Sequence, residues 1–156
     1  MHQYSVDVSW EDTEEKFSTG KYSRAHRWKF DGGVTVEASS SPNVVRLPYS
    51  REDAVDPEEA YVASLSSCHM LTFLFIAYQE HFVVKRYKDH AEGFMEKNAQ
   101  NQEWISRVDL RPVLEFTGAV PGAEKLREMH EKAHSGCYIA NSVKTEIVVH
   151  PQPITD

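Results

Sequence analysis

The sequence predicts an α+β fold, and three observations carry that expectation. Strand-like alternation stands on both sides of one long apolar helix. That helix opens on a capping signal, "VDPEEA" at 55–60. A second, amphipathic helix precedes a short last strand near the C-terminus.

Taken in order, residues 3–9, "QYSVDVS", alternate as a strand should. Residues 22–39 form a hairpin pattern: "YSRAHRWKF", the turn signal "DGG", then "VTVEAS". Pro42 and Pro48 flank an irregular connection over 41–55. In "VDPEEA", Asp56 suits the N-cap, Pro57 the first helical position and Glu59 the reciprocal place of a capping box. From there a helix can run to about residue 79 or 81 without meeting Gly or Pro. Its second half, "MLTFLFIAY", is apolar almost all round, which predicts a central, buried helix.

Residues 83–97 and 104–117 read as two alternating strands joined by the polar loop "NAQNQE". Leu126, Met129, His130 and Ala133, at i, i+3, i+4 and i+7, mark the inner face of the second helix. "KTEIVVH" reads as the last strand and "PQPITD" as a tail. The expected organisation is a single domain over 1–156: strands over 3–39, a central helix over about 57–81, and strand, strand, helix, strand over 83–150.

Composition narrows the function. With 156 residues, 40% hydrophobic and 26% charged, the chain can bury a core without staples. A formal charge of -7 argues against nucleic-acid binding, which needs a cationic face. The apolar run from Met70 to Tyr78 is too short to span a bilayer, and the N-terminus lacks the basic and apolar regions of a secretory signal. A cytoplasmic location without membrane attachment is the resulting expectation. Thiols there are held reduced, which disfavours a purely structural disulfide and leaves room for a transient catalytic one.

The chain has two cysteines, Cys68 in "SSCHMLTFLF" and Cys137 in "AHSGCYIANS", sixty-nine residues apart. Three readings are open for them. Cys68 can pack as a small hydrophobe in the helix. Together with His69 and His134 the pair has enough ligands for zinc, although Cys68 and His69 diverge by about 100° on a helix and no strong metal-ligand spacing is present. Nucleophilic chemistry is the third reading. It requires a cation near Cys68, because a buried helix alone disfavours the thiolate.

The segments "SRAHRWKFDGG", "VDPEEAYVASLSSCHMLTFL" and "AHSGCYIANSVKTEI", in this order and spacing over roughly 20–150, resemble the OsmC/Ohr family of thiol peroxidases. The resemblance implies reduction of organic hydroperoxides, and to a lesser extent hydrogen peroxide, in defence against oxidative stress. It implies Cys68 as the peroxidatic cysteine and Cys137 as the resolving one, joined in a disulfide during turnover. It places the assisting glutamate at Glu58 and the arginine at Arg24, with Arg27 as competitor if the hairpin register slips. It further implies an intertwined homodimer, no bound cofactor and an external dithiol reductant, dihydrolipoamide on a lipoylated protein. Glu58 and Cys68, ten residues apart on one helix, stand about 15 Å apart, so an antiparallel partner helix would be needed to bring them together. The second motif departs from the family's Cys-Pro, since Tyr138 follows Cys137. A cysteine-dependent hydrolase or transferase on the same scaffold, which would need Cys68 but not Cys137, and a non-enzymatic stress or binding protein are the alternatives.

Overall fold

The computed structural model describes residues 1–152, and residues 153–156 of the expected tail lie outside the described residues. The chain forms two compact units, Met1–Ala60 and Tyr61–Asp156.

In the first unit, β1 (Val6–Ser9), β2 (His26–Phe30) and β3 (Thr35–Ala38) make an antiparallel sheet with β2 in the centre. The "DGG" turn forms where expected. Phe30 N–H donates to Val34 O at 2.9 Å, and Gly33 supplies the positive φ of 87° that the turn requires. After β3 the chain loops out and returns at Val55, which makes a parallel bridge to Ala38. Helix α1 (Pro57–Gln79) then begins on the expected capping box. Glu59 N–H donates to Asp56 Oδ1 at 2.7 Å, and Asp56 N–H to Glu59 Oε2 at 3.4 Å.

In the second unit, the two long alternating segments do not remain single strands. Each breaks at a corner and changes sheet. β4 (Val83–Asp89) pairs with β7 (Pro112–Thr117), while β5 (Glu92–Lys97) pairs with β6 (Glu103–Leu110). Asp89 builds the corner. Its carboxylate accepts the Arg111 N–H at 2.6 Å and the Ser66 hydroxyl, and the next residue, Pro112, has no N–H to continue a ladder. β8 (Glu146–Val149) joins β6 in parallel, the one parallel pair of strands among the described residues, made possible by the crossover through α2 (Ala123–Gly136).

Two apolar clusters hang on α1. Leu65 packs with Val108 and Leu110 of the β5–β6–β8 sheet. Phe73 and Ala77 pack with Leu114 of β7 and with Leu126, Met129 and Ala133 of α2. The α2 face is the one that the periodicity predicts. At Gly93 on β5 an added Cβ would lie 2.7 Å from the Val62 side chain, so helix and strand approach as closely as they do only because glycine is there.

Within one chain the central helix is buried along one side. Leu65, His69, Phe73 and Ala77 are buried, but Leu71, Phe75 and Tyr78 on the opposite side are 61%, 58% and 76% exposed. An apolar surface is required there by the sequence, and one chain does not cover it. By length and composition α1 could also cross a membrane, against the reading of its apolar run as too short. Its four-residue buried stripe is the pattern of a core helix.

Candidate active site: paired thiols between two helices

Helices α1 and α2 meet in antiparallel sense. Cys68 neighbours Cys137 at the end of α2, Phe73 stacks on His130 further back along α2, and Glu80, just past α1, pairs with Lys125 in the first turn of α2. At the end of this seam the Cys68 and Cys137 side chains are neighbours, both as free thiols. Cys68, in mid-helix, is half-buried; Cys137 is the C-cap of α2 and is 1% exposed. The chain turns sharply there: Cys137 N–H donates to His134 O, and Cys137 O accepts from Asn141 N–H in the 3-10 turn Ala140–Ser142. Ala140 N–H points back at the Cys137 sulfur at 3.4 Å.

Burial pushes the Cys137 thiol up to about 11, and the neighbouring Cys68 thiol acts in the same direction. Cys137 therefore keeps its proton at neutral pH.

Directly behind the thiols, His69 Nε2 and His130 Nδ1 share a hydrogen bond of 3.0 Å. The rings are nearly parallel, and Phe73 stacks on the far side of His130 with centroids 4.3 Å apart. The two histidines are only 1% and 2% exposed, and burial lowers them to about 4 and about 3; the nearby His134 contributes for His69, and His69 for His130. His130 Nε2 is buried without a partner. Two neutral imidazoles form this bond with one proton between them. With Nδ1–H of His130 as the donor, the buried Nε2 is a lone pair, which is less costly to leave unmatched than a buried N–H. The sequence places His69 and His134 next to the cysteines but does not reveal this pair. The signal was a polar residue, His130, on an otherwise apolar helix face.

The other two expected site residues belong to the first unit. Arg24 N–H donates to Tyr49 O at 2.8 Å, and its guanidinium lies over the Tyr22 ring, 3.7 Å from the centroid. Nη1 donates to Tyr22 O at 2.6 Å and Gly20 O at 3.4 Å. Glu58, in the first turn of α1, has a buried Oε2 with no partner. The hydrogen bond expected between Glu58 and the Arg24 guanidinium is not formed in this structure. Arg27 is committed elsewhere, to Glu37 across the β2–β3 pair at 2.7 Å. Among the described residues no group of three or more His, Cys, Asp or Glu side chains could hold a metal ion.

Solved structures resemble this chain closely. An OsmC-like protein of unknown function from Vibrio cholerae is 47% identical and superposes with a TM-score of 0.95, over 97% of this chain and 100% of that one. Organic hydroperoxide resistance proteins from Elizabethkingia anophelis and Bacillus subtilis share the fold at 16% and 15% identity, with TM-scores of 0.72 and 0.71. The first covers 100% of this chain and 98% of that one, the second 97% and 98%. No curated protein sequence matches. The model of the family described as OsmC-like protein matches residues 50–151, a span that contains α1, the bent strands, α2 and both cysteines. With that match over most of its length and the shared fold, the chain belongs to the OsmC-like family.

Proposed function

We propose that the protein is a thiol-dependent peroxidase that reduces organic hydroperoxides to alcohols and so defends against oxidative stress. The observation that supports this most is that Cys68 and Cys137 are neighbours, two reduced thiols on α1 and at the end of α2 with unequal access to solvent. The Cys68 thiolate attacks the distal peroxide oxygen; the O–O bond breaks, the alkoxide takes a proton to leave as alcohol, and Cys68 becomes a sulfenic acid. Cys137 is held protonated until then. Its sulfur attacks the sulfenic sulfur, a disulfide forms, and the displaced oxygen leaves as water with the Cys137 proton. An external dithiol reopens the bridge by exchange and is itself oxidised to a disulfide. By resemblance that dithiol is dihydrolipoamide on a lipoylated protein, Arg24 is the cation that favours the thiolate, and Glu58 is the acceptor that orients the guanidinium.

On the same reading the working form is a cytoplasmic homodimer. The exposed row of Leu71, Phe75 and Tyr78 on α1 supports it, because an apolar helix face of this size needs a cover.

The test is a thiol count with intact-mass readout after one equivalent of cumene hydroperoxide. Wild-type protein should lose both thiols and about 2 Da, Cys137→Ser should accumulate a trappable sulfenic acid, and Cys68→Ser should not react. Retention of full peroxide turnover by Cys137→Ser, or survival of both thiols in the wild type, would overturn the reading.

A further inference from the structure

Among the described residues one hydrogen bond joins α1 to α2, the bond of 3.0 Å between His69 Nε2 and His130 Nδ1. His130 thereby meets two α1 side chains that lie one turn apart, His69 through this bond and Phe73 by stacking. The other buried contacts of the seam are apolar, from Phe73 and Ala77 to Leu126, Met129 and Ala133, and apolar contacts have no preferred direction. At the far end Glu80 pairs with Lys125 and Lys132, whose long, flexible stems can follow a helix that slides.

The position of this bond relative to the thiols matters. His69 directly follows Cys68, and His130 stands seven residues before Cys137, two turns back along the same face of α2. A disulfide forms only over a window of about 2.4 Å in Cα separation, less than the roughly 3 Å by which a two-residue slide displaces one helix along another. The pair is also not what maximal stability would select. His130 Nε2 is buried without a partner, and well-packed apolar residues in place of a buried polar pair are commonly neutral or stabilising. What a buried polar pair adds to an apolar seam is alignment.

We infer that the His69–His130 hydrogen bond is the register lock of the α1–α2 seam, and that both histidines are positioning residues that set the alignment in which Cys68 and Cys137 can bridge. The inference rests on the proposed reading of the two cysteines as a pair that is bridged during turnover.

The test needs no peroxide. Full-length protein is equilibrated at neutral pH with mixtures of reduced and oxidised glutathione, and bridged protein is counted by alkylation and intact mass. As the Cys68–Cys137 bond forms, oxidised glutathione takes up the two electrons and two protons and leaves as two thiols, so the equilibrium constant reads the effective concentration of one cysteine at the other. His69→Leu combined with His130→Phe, an apolar pair, should unfold in urea at or above the wild-type midpoint and still lower the effective concentration by about tenfold or more. His130→Asn, whose amide nitrogen can stand where Nδ1 does, should stay within about threefold of wild type, while His130→Leu should not. A merely structural role would move the urea midpoint and the effective concentration together. Wild-type effective concentration in the apolar pair would overturn the lock, as would equal values for His130→Asn and His130→Leu, a comparison that stands even if the apolar pair fails to fold. Wild-type protein that forms no bridge at any glutathione ratio would overturn the peroxidase cycle and the lock with it, so the two failures are distinguishable.

Discussion

The Cys137 thiol and the imidazoles of His69 and His130 share one helix–helix seam and respond to it in opposite directions. Burial opposes charge, so the thiol is raised and the imidazoles are lowered. The histidines carry the consequence for acid stability. Below the ordinary value near 6.5 the unfolded chain binds protons at both rings, while the native state resists until about 4 and about 3. The native state thus holds fewer protons over that window, and stability falls as pH drops from about 6.5 toward 4, by about 1.4 kcal/mol for each unit of depression. Replacing His130 by Leu should flatten this loss in urea melts taken between pH 7 and 4.5. Equal acid sensitivity of the variant and the wild type would contradict it. Little of this was legible at the residue scale. Cys68 and Cys137 stood out as the only cysteines, but pairing His69 with His130 requires knowing that α2 runs antiparallel to α1.

Among the elements, α1 shows both what local chemistry announces and what it conceals. Its start was legible to the residue, because Asp56, Pro57 and Glu59 act on their immediate neighbours. Its end is marked by no glycine. His81 takes the left-handed conformation, φ 65°, and closes a Schellman motif in which His81 and Phe82 N–H donate to Tyr78 and Ala77 carbonyls. His81 is exposed, so His81→Gly should remove strain and raise the stability by roughly 1 kcal/mol, read as an upward shift of the urea midpoint. A drop in the midpoint would show that the imidazole makes a contact worth more than the strain. The corners at Asp89 and Arg111 were illegible for the opposite reason. Alternation runs straight through them, and the bend is made by Asp89 reaching Ser66 on α1, twenty-three residues away.

For the molecule as a whole, the apolar composition of α1 was legible, but not which of its faces the same chain covers. Hydropathy states that a surface must be covered without stating by what. The exposed Leu71, Phe75 and Tyr78 row leads to a further expectation at this scale. Phe75→Glu should convert the proposed dimer to a folded monomer near 17.9 kDa in light scattering, because a charge cannot be buried unpaired in an apolar interface. A wild-type protein that is already monomeric at that mass would contradict the dimer.

The position of the cysteines has one more consequence. Between Cys68 and Cys137 lie β4, β5, β6, β7 and all of α2, so a bridge between them closes a loop of about seventy residues around the larger unit. In the chain-entropy account such a closure raises fold stability by roughly 4 kcal/mol, and the same energy acts on the sulfur couple. Folding would lower its reduction potential relative to the unfolded chain by on the order of 90 mV. The electron donor must then work against the fold as well as the bond, and the melting temperature becomes a gauge of oxidation state.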